Sequence, residues 1–258
     1  MSVTRNTTPF PWLEDCAIRI VLLSSCLVLG SLLRLDAASF QNLNFESSPS
    51  FPPGDYSSPF DIYPSALPGW TVHVDNAIQN GAFANEFILD APGVALMTGA
   101  ANLLDGQKSV YLQSAYSAST NQPGARPLNV SISQVGLVPA GSQSLHFNSL
   151  NQWFSSFPIP PGPFDVRLGG SSLSLIPTFS NGGYVEYAAD VSAWQGQTVE
   201  LSIGVLTSPA WGNPIFPEGW AFVDSITFSP TAVPEPSCVL LLAVGILLLP
   251  KRSACAPR

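Results

Sequence analysis

Between residues 39 and 232, short apolar runs are separated by clusters of Gly, Pro, Asn and Ser, and no long stretch carries apolar residues at a helical period. The sharpest pattern lies in Thr198 to Leu206. There Val199, Leu201, Ile203 and Val205 alternate with Thr198, Glu200, Ser202 and Gly204, which puts one set on each face of a pleated strand and marks it as half-buried and antiparallel. Phe164, Val166 and Leu168 against Asp165 and Arg167 repeat the device. Gly169-Gly170 follows and predicts a two-residue hairpin, because two glycines accept the positive φ that such a turn requires. Further strands are predicted at Asn42 to Glu46, Gly69 to Asp75, Glu86 to Leu89, Ser109 to Gln113, Val130 to Ser133, Ser144 to Phe147, Ser171 to Ile176, Gly183 to Ala188 and Trp220 to Phe228. Strands at this spacing imply a single all-β domain over 39–232, an antiparallel sandwich or barrel.

Two stretches interrupt the rhythm. Ser48 to Pro68 holds prolines at 49, 52, 53, 59, 64 and 68, and Phe157 to Pro163 holds them at 158, 160, 161 and 163. Proline cannot donate to a sheet ladder, so both are predicted as extended surface loops.

The ends of the chain follow another pattern. Arg5 and Arg19 precede the apolar segment Ile20 to Leu33, and the small residues Ala37, Ala38 and Ser39 follow. Residues 1–38 therefore read as a secretory signal helix cut near Ala37 or Ala38, with an uncleaved signal anchor as the rival. Leu23-Ser24-Ser25-Cys26 adds a weaker lipidation alternative. Residues 233–258 run from Val233-Pro234-Glu235-Pro236-Ser237 through apolar Cys238 to Leu249 and close on Pro250-Lys251-Arg252. The prolines keep the chain extended, the apolar helix partitions into lipid, and the basic pair stays where positive charge is retained. As a helix, residues 238–249 would reach only about 18 Å against a hydrocarbon layer of about 30 Å.

Cysteine usage separates these ends from the domain. Cys16, Cys26, Cys238 and Cys255 all lie in the terminal segments, so 39–232 can form no disulfide and no thiolate metal site. Charge narrows the partners. Residues 39–232 carry 13 acidic side chains against Lys108, Arg126 and Arg167, a net charge of −10. With no basic patch to neutralise phosphates, nucleic acid is excluded as a partner.

The C-terminal order of Pro-Glu-Pro, apolar helix and basic pair resembles the PEP-CTERM sorting signal of bacterial surface proteins. The resemblance implies recognition of Pro234, Glu235 and Pro236, with Lys251 and Arg252 behind the helix, by a membrane-embedded exosortase that removes the tail. The domain resembles a second group. Asn44-Phe45-Glu46, Pro68-Gly69-Trp70, Ser109-Val110-Tyr111-Leu112 and Ala221-Phe222-Val223-Asp224-Ser225-Ile226 are similar in order to the galactose-binding-like jelly rolls, which include many carbohydrate-binding modules. This implies a β-sandwich flanked by the signal helix and the short C-terminal helix.

Strict alternation on the closing strand puts Asp224 on one face with Trp220, Phe222, Ile226 and Phe228, where a carboxylate is costly unless paired or metal-bound. The jelly-roll resemblance implies a structural calcium held by Glu46 near the first strand and Asp224 on the last; a plain hydrogen-bonded Asp224 is the alternative. Trp211 and Trp153 sit in turn-rich sequence and are the candidates for stacking on a sugar, while Trp70 and Trp220 read as core and Trp194 as a ring tucked over the sandwich end. No Gly-x-Ser-x-Gly elbow, His-Glu-x-x-His or phosphate loop is present, and His73 and His146 read as strand residues. The chain thus reads as an exported, surface-sorted, non-enzymatic protein of a Gram-negative-type bacterium, membrane-associated before processing and then on the outer surface or in the matrix, with exopolysaccharide as a candidate partner. A purely structural surface protein and a glycan-active enzyme are the alternatives.

Overall fold

The computed structural model describes residues 38–51, 62–85, 91–98, 104–117, 124–150, 164–181, 183–207 and 219–233. The chain divides into two units, 1–37 and 38–258, and the described residues all belong to the second. They are all-β apart from one 3-10 turn at Ser192–Trp194.

The strands in chain order are β1 (Thr71–Val74), β2 (Ala77–Ile78), β3 (Phe83–Ala84), β4 (Gly93–Thr98), β5 (Lys108–Tyr116), β6 (Pro127–Leu128) and β7 (Val130–Leu137), followed by β8 (Ser144–Leu150), β9 (Phe164–Leu168), β10 (Ser171–Ser172), β11 (Ile176–Ser180), β12 (Tyr184–Asp190), β13 (Thr198–Val205) and β14 (Gly219–Ser229). One sheet runs β10-β9-β13-β7-β1-β2; the other runs β11-β12-β8-β14-β5-β4-β3, with β6 paired to β5. The pairings are antiparallel except β3 with β4, which is parallel.

The sheets face each other as a sandwich across a shared apolar layer. Val72, Ile132, Val166, Leu168, Leu201, Ile203 and Val205 of the first sheet belong to one cluster with Val94, Leu96, Val110, Leu112, Leu145, Phe147, Ala221 and Val223 of the second. Each Val, Leu, Ile or Phe among them, once buried, contributes about 1.5–3 kcal/mol. The predicted alternation in β13 holds: Leu201, Ile203 and Val205 are fully buried, while Glu200 is exposed. β9 spans the predicted residues, and Gly169 and Gly170 make the hairpin with φ of 57° and 79°.

A second cluster lies on the opposite face of the second sheet, where Ala95, Met97, Tyr111, Trp220 and Phe222 are buried together. β4, β5 and β14 are thus covered on both faces, which is why β4 shows no alternation and escapes a pattern search.

Three expectations need correction. Asn42 to Glu46 is not a strand: Asn42 and Phe45 take positive φ of 49° and 57°, and the segment turns so that Phe45 points into the core. Ser171 to Ile176 is broken, since β10 ends at Ser172 and β11 starts at Ile176. The Ser48 to Pro68 stretch is not wholly a surface loop, because Ala66 and Leu67 are buried in the core. The predicted strand Glu86 to Leu89, the proline stretch before Phe164, and the signal and C-terminal helices lie outside the described residues.

The closing strand brings a fourth correction. Trp220, Phe222, Ile226 and Phe228 do not share a face. Between Asp224 and Thr227 the register with β8 shifts, and Ser225 has a φ of 51°. This bulge switches the strand: Trp220 and Phe222 join the outer cluster, whereas Ala221, Val223 and Ile226 belong to the inner layer and Phe228 packs against it.

Candidate functional site

Asp224 and Glu46 do converge on one element, the loop of residues 104–107 and the start of β5. Glu46 sits in the N-terminal turn segment, which is fastened to the last strand through the Ile226 N–H to the Leu43 carbonyl, at 3.0 Å. From there Glu46 Oε1 accepts the N–H groups of Gln107 at 2.7 Å and Lys108 at 3.0 Å. Asp224 grips the same loop from the other strand. Its Oδ2 accepts the Asp105 N–H at 3.1 Å and the Ser109 hydroxyl at 2.9 Å, and its Oδ1 accepts the Ser225 N–H at 2.6 Å. Asp105 closes the ring by accepting from the Ser225 hydroxyl at 3.0 Å. Gly106, with φ of 63°, is needed here because a Cβ would fall 2.3 Å from Glu46 Oε1.

A positive charge completes the arrangement. The buried Lys108 ammonium donates to the carbonyls of Glu46 at 2.9 Å and Ser48 at 2.5 Å. Backbone carbonyls are the oxygens a calcium ion would take, and here the chain's own cation holds these two. Glu46 Oε1 and both carboxylate oxygens of Asp224 already accept N–H and O–H donors, and among the described residues no group of three or more His, Cys, Asp or Glu side chains could hold a metal ion. The donor set as arranged suits hydrogen bonding better than a shared ion. Burial raises Asp224 from its ordinary 3.8 to about 7; the Ser109, Ser225 and Asp105 donors act against that rise, and the negative charge of Asp105 adds to it.

A second polar constellation resembles a catalytic triad in distances alone. On β8, Ser144 Oγ lies 2.8 Å from His146 Nε2, and His146 Nδ1 lies 2.5 Å from Glu186 Oε1 on β12. A nucleophilic serine must give its proton to the imidazole and present its oxygen to a substrate. Ser144 does neither: it is fully buried, and its one hydroxyl hydrogen goes to the Thr231 carbonyl at 2.7 Å. The network instead fastens the segment that follows β14.

Trp70 and Trp220 are buried, and Trp194 packs against the edge of the core. Trp153, Trp211, Pro234, Glu235, Pro236, Lys251 and Arg252 lie outside the described residues. The loop residue Asp105 and the buried Lys108 escape sequence reading, as does the role of Ser109 at the start of β5. Their nearest signal is Lys108 itself, one of only three Lys or Arg residues in 39–232 and the first residue of a buried strand.

Among the described residues no helix is long and apolar enough to cross a membrane. No family model matches the chain, and no curated protein matches it. Among solved structures it is similar to the beta-glucosidase of Kluyveromyces marxianus, at 11% identity over 58% of this chain, with a TM-score of 0.23. The match spans about a fifth of that enzyme, 20% of its chain, and is too slight to carry an argument about fold or activity.

Proposed function

We propose that this chain is an exported, surface-sorted, non-enzymatic β-sandwich protein of the galactose-binding-like jelly-roll type, processed through a PEP-CTERM tail by an exosortase and retained near exopolysaccharide. The observation that carries the reading is the order Pro234-Glu235-Pro236, apolar Cys238 to Leu249 and Lys251-Arg252, placed directly after a cysteine-free domain. The end of β14 supports it: the strand finishes at Ser229 and the Thr231 carbonyl is held by Ser144, and Pro234 follows three residues later in the sequence. The jelly-roll assignment draws support from the two facing sheets and from the Glu46 segment fastened to the closing strand. A binding role in preference to catalysis draws support from the buried, committed Ser144. Trp211 and Trp153 remain the aromatic platforms of the proposal.

The test is replacement of Pro234, Glu235 and Pro236 by alanines in the native host. The wild type should lose its tail and reach the outer surface, and the variant should keep its tail and stay with the membrane fraction. Equal processing of the two would sink the sorting role.

A further inference from the structure

The outward face of the first sheet carries a groove of about 420 Å³, within the ordinary size range of small-ligand sites. Its origin is visible in the strand register. On the two central strands, Ser202 and Gly204 of β13 stand beside Ser133 and Ser131 of β7. On the next strand Arg167 and Asp165 of β9 pair with Ser202 and Gly204. Small side chains thus occupy the middle of the face and longer ones its flank, while Asp75 and Asn76, in the turn after β1, and Asn129, before β7, close the far end. Gly204 keeps the floor low: a Cβ there would fall 2.9 Å from both Ser131 Cβ and the Val130 carbonyl.

From this geometry we infer that the groove is a binding site for an uncharged oligosaccharide, recognised by hydrogen bonds. The charges in and beside it are balanced within the protein. Arg167 Nε lies 3.0 Å from each Asp165 carboxylate oxygen, and Arg126 Nη1 lies 2.6 Å from Asp75 Oδ2. An anionic ligand would meet two carboxylates and a cationic ligand two guanidinium groups, so a neutral one avoids both penalties. The lining is mostly polar and so offers little to an apolar ligand. Donors and acceptors stand ready. The Ser131 and Ser202 hydroxyls and the Asn76 amide have no hydrogen-bond partner among the described residues, and the terminal guanidinium nitrogens of Arg167 have none either. Asn129 is held in place because its Oδ1 accepts the Thr207 N–H at 3.2 Å and its carbonyl accepts the Asp75 N–H at 2.6 Å. Hydroxyl-rich sugars match such a set of paired amides, hydroxyls and a guanidinium, and the preformed walls limit the ordering cost of binding.

This assignment deepens the surface reading above and rests on it only for where the ligand would be met. The experiment is calorimetric titration of the full-length chain with maltotriose, cellotriose, mannotriose and galactotriose, and with trigalacturonate as the charged counterpart. Saturable binding of at least one neutral trisaccharide is expected, weakened about tenfold or more by Arg167→Ala. Ser202→Trp, which fills the groove from an outward-facing strand position, should abolish binding. Both variants should keep the wild-type melting temperature, and Arg167→Ala, altering only a surface side chain, decides the matter if Ser202→Trp folds poorly. Binding by none of the four, binding that survives Arg167→Ala undiminished, or equally tight binding of trigalacturonate would overturn the assignment. None of those outcomes touches tail processing, so loss of the groove and loss of the sorting role are separately readable.

Discussion

The outer face of the first sheet and the outer face of the second over β4, β5 and β14 are built on opposite plans. Outside the first sheet stand Arg167, Asp165, Ser202, Ser131 and Ser133, with the aliphatic side chains of Val135 and Ile78 62% and 72% exposed. Outside the second stand Met97, Tyr111, Trp220 and Phe222, all buried, with rings in contact: Tyr111 and Phe222 have centroids 5.2 Å apart, and Trp220 meets Phe222 edge-on. The first face is left to solvent and to whatever binds there. Over β4, β5 and β14 the second is a further apolar layer, so those three strands serve two cores at once. An outward-pointing side chain in this protein therefore means different things on the two sheets.

The strongest way to break that comparison is to truncate an outer-face aromatic. Phe222→Ala should destabilise the domain by about 3–5 kcal/mol, as much as Leu201→Ala in the inner layer, which should cost about 2–5 kcal/mol. Denaturant unfolding measures both, and a loss below about 1 kcal/mol for Phe222→Ala would reduce the second layer to surface decoration. A smaller effect probes the margin of that layer, where Asp224 is buried. Its pKa is raised to about 7, so the folded carboxyl keeps a proton that the unfolded chain has lost. The resulting stability is complete below about pH 4 and disappears as pH climbs through about 7, amounting to a few kcal/mol at most. Asp224→Asn should flatten the stability profile between those limits, and a wild-type profile already flat there would refute the buried-acid account. At pH 7.5 a chelator should leave the wild-type melting temperature unmoved; a fall that Asp224→Asn abolishes would restore calcium to this place. The smallest expected effect is Val135→Ala, within about 0.5 kcal/mol of wild type, since that side chain already faces water. A larger loss would mean that the first face is covered too.

The contrast between the faces also explains what could be read from the chain. β9 and β13 border water on one side, so their polar and apolar residues alternate, and both strands, their inward residues and the Gly169-Gly170 hairpin are legible in advance. β4 is apolar from Val94 to Met97 because both its sides are buried, and the signal that would reveal it is erased. On β14 the strand itself is legible, but its facing is not, because the bulge at Ser225 depends on contacts with β8 and with the 104–107 loop that no local pattern records. The convergence of Glu46 and Asp224 on one loop is visible only as an analogy, and what fills the space between the chain segments, Lys108 and main-chain donors, is decided by tertiary packing. The groove is a product of register: Ser131, Ser202 and Arg167 are unremarkable along the sequence and acquire meaning only when three strands align them.

The position of β14 has a temporal consequence. The last of the described strands lies in the middle of its sheet, hydrogen-bonded to β8 on one side and β5 on the other. A ribosome delivers it after the other described strands, so until residue 229 emerges β8 and β5 lack the strand that joins them, and the Leu43 and Glu46 segment lacks the strand to which it is fastened. Such dependence on remote partners slows folding. For a chain that must be threaded through a membrane before it folds, as proposed here, that delay works in favour of export: the domain stays open during passage, and arrival of its final strand is the event that lets it close.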